Sequence, residues 1–209
     1  MDREIILDRY RALMEEVKWR VQVINSAHTL PFPRPAPAIE LSYLQLRMIC
    51  EAIALGCLLV HGDIPQSRTG RLKKEYHAGR IINALEKLHP TFFPVPFKIL
   101  FDRHNKPWSF VDEDQTNTLD KASLLSLYYE CDKFLHRSNL AFVLPGRPRT
   151  VKIERIHDWV VKINTFLHNH RISLLDGKYE LWINMHGPEG YASGYFARNT
   201  GKSVLGFGI

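Results

Sequence analysis

The chain has 209 residues, 45% of them apolar and 24% charged, a composition that excludes wholesale disorder. Its formal charge is +6, from 28 Lys and Arg against 22 acids, a bias that permits contact with nucleic acid without demanding it. No run reaches the roughly 18 uninterrupted apolar residues of a membrane span, and Met1-Asp2-Arg3-Glu4 begins on mixed charge, so no membrane association and a cytoplasmic location are expected.

The first segment, residues 2–29, sets Ile5, Ile6, Leu13, Val17, Val21, Ile24 and Ala27 among charged residues, the pattern of a long amphipathic helix. Alternating prolines from Pro31 to Pro37 predict an extended, stiff connection. Residues 38–61 are the most apolar stretch and predict a central buried helix. A third helix is expected over 70–88, ended by Pro90. The apolar runs around Phe97–Phe101 and Trp108–Val111 flank a polar turn and predict a hairpin over 97–111. Further helices are expected over 119–137 and 150–170, and a second hairpin over 178–197 around Gly187-Pro188-Glu189-Gly190. The fold class expected is mainly α, a bundle of about five helices with two short β-hairpins. Its layout is a bundle over 1–145, with a C-terminal helix and hairpin over 146–209 packed on it.

Three cysteines, Cys50, Cys57 and Cys131, are too few and too odd for a disulfide framework, and no CxxC pair signals zinc. They read as small buried hydrophobes. Gly201-Lys202-Ser203 matches the end of a P-loop, but Phe196 stands where the first glycine must be. His168 and His170 would point apart on a helix, poor geometry for a metal. No cofactor and no metal is implied.

Two constellations stand out. Glu40, Arg47 and Glu51 fall within about 40° of one another on the apolar second helix, a polar stripe in greasy surroundings. It reads either as an ion pair fixing helix register or as a polar pocket between helices. At the end of the fourth helix, Tyr129, Asp132 and His136 share a face, with Arg137 and Ser138 beside them. Asp132 could orient the His136 imidazole for acid/base work, and Arg137 could hold a phosphate. Cationic capping of a helix C-terminus is the competing reading. Basic residues also gather at Arg68, Arg71, Lys73, Lys74 and Arg80, and at Arg147, Arg149, Lys152 and Arg155, more simply solvated faces than a phosphate track.

Leu46-Arg47-Met48-Ile49-Cys50-Glu51 and the later Phe134-Leu135-His136-Arg137 resemble uncharacterised bacterial members of the HEPN-like helical superfamily, over about residues 1–140. The resemblance implies a four- or five-helix bundle, often a homodimer, with the two-fold near the fourth helix. It also implies a metal-independent ribonuclease, or a protein binding RNA or a nucleotide, in toxin–antitoxin, stress or anti-phage systems. On that reading His136 is the acid/base, while Arg47 or Arg137 stabilises phosphorane charge and Glu51 and Asp132 complete the site. The family's Arg-then-His spacing has one literal match, Arg71 to His77, whose members would stand about 240° apart on a regular third helix. The alternative is a non-catalytic dimeric interaction or regulatory module, with the Arg47–Glu51 pair serving structure.

Overall fold

The computed structural model describes residues 2–27, 29–32, 34–62, 72–100, 109–114, 118–136 and 153–199. The helices among them are α1 (Arg3–Ala27), α2 (Pro35–Val60), α3 (Ala78–Leu88), α4 (Lys121–Leu135) and α5 (Ile153–His168). The strands are β1 (Val95–Leu100), β2 (Ser109–Asp112), β3 (Asn169–Ser173), β4 (Tyr179–Asn184) and β5 (Ser193–Arg198).

The mainly helical class holds, but the two hairpins are not separate. They are joined into one antiparallel sheet of order β2-β1-β3-β4-β5. The weld is β3, which lies within and just beyond the stretch expected to end the fifth helix. Its backbone pairs Val95 with Arg171 on one side and Asn184 with Asn169 on the other. The helix stops at His168, and the alternation in His170-Arg171-Ile172-Ser173 takes over: His170 and Ile172 are fully buried, Arg171 and Ser173 only partly.

Two other boundaries move for local reasons. The second helix starts at Pro35, not after the prolines, because Pro35 and Pro37 fall in its first turn, where the missing N–H groups would have no helical partner anyway. The third helix starts at Ala78. Upstream, Leu72–Lys74 is a single 3-10 turn, and Glu75 Oε1 accepts the backbone N–H of Tyr76 and of His77, giving the chain a turn in place of a helix.

The core is organised around α2, which packs against α1, α3 and α4. Leu46, Ile49 and Cys50 are fully buried. Ile172, Leu181 and Ile183 on one face of the sheet join the same apolar cluster. The opposite face carries a smaller one of Phe97, Phe110 and Trp182, with ring centroids 4.7–5.7 Å apart. By length and mean hydropathy (1.6) α2 could cross a membrane, but 61% of that window is buried within the bundle, as in a core helix. The three thiols are buried and free. Burial pushes Cys57 and Cys131 up to about 12, so neither is a nucleophile at neutral pH.

Candidate functional site

The two polar constellations meet in one place. Arg47 lies near the middle of α2, and α4 crosses it with Tyr128 and Asp132 turned inward. A capping box fixes where α4 begins: the Asp120 side chain accepts from Ser123 N–H at 2.7 Å, and Ser123 Oγ accepts from Asp120 N–H at 2.9 Å. Tyr128 and Asp132 then follow one turn apart on the face towards α2.

Arg47 is committed in every direction. Its Nε donates to Glu51 Oε1 at 3.1 Å, its Nη1 to Asp132 Oδ1, and its Nη2 to the Tyr128 hydroxyl at 3.0 Å. The guanidinium carbon also stands 4.9 Å from the centre of the Tyr128 ring. The Tyr128 hydroxyl donates in turn to Glu51 Oε1 at 3.4 Å. Burial raises the Tyr128 phenol above its ordinary range, opposed by Arg47 and reinforced by Glu51. The side chains of Arg47, Glu51 and Asp132 remain 20%, 18% and 28% exposed, so the network sits at the rim of the core. Two carboxylates against one guanidinium leave it with one net negative charge.

His136 caps the end of α4, its backbone N–H bonded to the Asp132 carbonyl at 3.1 Å. Its imidazole is 79% exposed, with Nε2 3.9 Å from Asp132 Oδ1. Arg137 lies outside the described residues, as do Arg68, Arg71, Arg147, Arg149, Lys152 and the turn of the first hairpin. Glu40 is exposed and makes no ion pair among the described residues, so the stripe reduces to Arg47 and Glu51. Of the remaining cations, Arg80 pairs with Glu75 at 3.5 Å. Arg155 grips Glu130 through both oxygens, at 2.6 and 2.5 Å. Burial works against ionisation of Glu130, yet Arg155 and the Tyr43 hydroxyl, 2.8 Å away, hold its pKa below the usual range.

Sequence reasoning does not place two members in the cluster. Tyr128 was one residue from the Tyr129 that was singled out; its signal is the i,i+4 spacing to Asp132. His77 packs edge-on against Tyr128, ring centroids 4.9 Å apart, and its Nδ1 is buried with no hydrogen-bond partner among the described residues. The angular objection to His77 lapses, because this residue is the extended N-cap of α3 and not part of a helix.

No family model, no curated protein and no solved structure matches the chain.

Proposed function

We propose that this chain is a non-catalytic interaction module that self-associates through the exposed face of α2. One observation carries the reading. Leu41, Leu44, Met48, Glu51, Leu55 and Leu58 recur at alternating steps of three and four, the seam of a helix packed against another helix. Yet Leu44 and Leu55 are 42% and 37% exposed, and the others are half-buried. The strip has polar rims. On the α1 side Arg20 bonds Gln45 at 2.8 Å and Glu16; on the α4 side lies the Arg47 network. An apolar centre between polar rims is the anatomy of a protein interface.

The seam is self-complementary. A two-fold axis running between two antiparallel copies of α2, at the level of Ile49 and Cys50, sets Leu44 of one copy against Leu55 of the other, and Leu41 against Leu58. From Leu41 to Leu58 the strip is about 26 by 10 Å and offers about 260 Å² a side, about a third of a standard interface. The rims must therefore join it. Light scattering at micromolar concentration is expected to give twice the chain mass, and Leu44→Glu with Leu55→Glu to give the monomer with an unchanged circular dichroism spectrum. A wild-type monomer would refute the reading.

A second reading, the metal-independent ribonuclease that the HEPN-like resemblance implies, has support from the exposed His136 imidazole beside Asp132. Against it, Arg47 already donates to two carboxylates and a phenol, so it brings no free charge to a phosphorane. RNA cleavage that persists in EDTA and is lost in His136→Ala would establish this reading.

A further inference from the structure

A cavity of about 260 Å³ opens between α1, the end of α5 and the residues following β4. Five of its lining side chains carry N–H donors or imidazole nitrogens: Lys18, Gln22, Asn164, His168 and His186. Val21 and Leu167 form part of its apolar wall, and no carboxylate lines it. His168 and His186 come from different elements, and their rings stand 5.5 Å apart, tilted by 42°. The fold makes this pair: α5 ends at His168, and Met185 N–H bonds the His168 carbonyl at 2.9 Å, which brings the next residue alongside. The backbone N–H of His186 bonds Asn184 Oδ1 at 2.8 Å, while its ring and the side chains of Gln22, Asn164 and His168 make no hydrogen bond within the described residues.

We propose that this cavity binds a phosphate-type dianion, free or as the head group of a small phosphomonoester. The donor set decides between anion and metal. Two imidazoles alone would tempt a late transition metal, but a third carboxylate, thiolate or imidazole ligand is absent among the described residues. Lys18 contributes an ammonium to the same wall. Amide, ammonium and imidazole nitrogens line the cavity, while Glu15, which faces His186, is engaged by Lys18 and by the Ala192 N–H; that donor set suits an anion. Lys18 is held in place by Glu15 at 3.1 Å and the Gly190 carbonyl at 2.6 Å, leaving its third N–H uncommitted.

The titratable groups facing His186 are His168 from α5 and Lys18 and Glu15 from α1. Partial burial, then His168 and Lys18, hold the His186 imidazolium below its ordinary pKa, and Glu15 opposes them. A bound phosphate anion offsets that repulsion, so its binding favours the protonated form of His186. The site stands independently of self-association through α2.

The test is a titration of the full chain with inorganic phosphate, followed by the imidazole signals in NMR at several pH values. Saturable shifts confined to His168 and His186 are expected, with the His186 titration midpoint raised by about one unit when phosphate is bound, equivalent to a tenfold preference of the anion for the protonated ring. Loss of those shifts in Lys18→Gln and in the exposed variant Asn164→Ala, with the fold intact, would support the site. Glycerol 2-phosphate in a parallel titration separates the sources: tighter binding than phosphate indicates a phosphomonoester, equal or weaker binding a free anion. No saturable shift, uniform shifts at all histidines, or a response to zinc instead of phosphate would overturn the proposal.

Discussion

Acidification should unfold this protein through His170 before its carboxylates contribute much. His170 is fully buried on β3 and Tyr10 nearly so on α1. The imidazole Nδ1 faces the Leu167 carbonyl at 3.0 Å and therefore carries the proton, while Nε2 accepts from the Tyr10 hydroxyl at 2.7 Å. Both nitrogens are satisfied only in the neutral form. Burial lowers the pKa from 6.5 to about 4. A folded pKa below the unfolded one means that the unfolded chain binds more protons between the two values. Stability is thus full above about pH 6.5 and lost progressively down to about pH 4. The whole window is worth about 3 kcal/mol, of which about 2 kcal/mol disappears between pH 7 and pH 5. Glu15, Glu75, Asp120 and Glu130, whose pKa values are lowered, lose their contributions mainly below that interval. Urea midpoints across the interval measure the slope, and His170→Gln should flatten it even though that variant starts less stable. An unchanged slope in His170→Gln, or an NMR titration of His170 near its ordinary value, would refute the argument.

Two substitutions test the packing that holds the rest. Arg47→Met strands the Glu51 and Asp132 carboxylates beside an apolar side chain; breaking a fully buried pair costs about 3–5 kcal/mol, and partial exposure here reduces the expectation to about 2–3 kcal/mol. An unchanged denaturant midpoint would show that water already screens the network. Gly56→Ala should destabilise the chain by about 1–2 kcal/mol despite the better helix propensity of alanine. Its methyl would stand 2.9 Å from Tyr10 Cε2, and the hydrogen bond to His170 prevents that ring from retreating; a neutral or raised thermal midpoint would contradict this.

What the sequence made legible was whatever is local. The apolar periodicities marking α1, α2 and α4 act over a few turns, and their centres fall where expected. The i,i+4 pair of Arg47 with Glu51 is local too. The polar cluster became a site only when α4 crossed α2, bringing Asp132 to a guanidinium 85 positions earlier, a contact no periodicity encodes. The same limit hid β3. A strand of five residues continuing straight from a helix carries too few alternations to stand out against the helical period before it. Only pairing with β1 and β4 makes it a strand, and those partners lie far away in sequence.

That handover from α5 to β3 also decides the chemistry around it. Had the helix continued, His168 and His170 would have projected apart as two surface groups. Because it ends at His168, His170 turns into the core to meet Tyr10, and His168 stays outside, beside His186. One boundary thus separates two histidines two residues apart into unlike environments. The inner one is neutral and serves stability; the outer one lines the cavity beside His186. Extending the helix through this point would abolish both, since β3 would lose its partners and His168 its neighbour. The junction is therefore where a change of local backbone preference should alter fold stability and anion binding together.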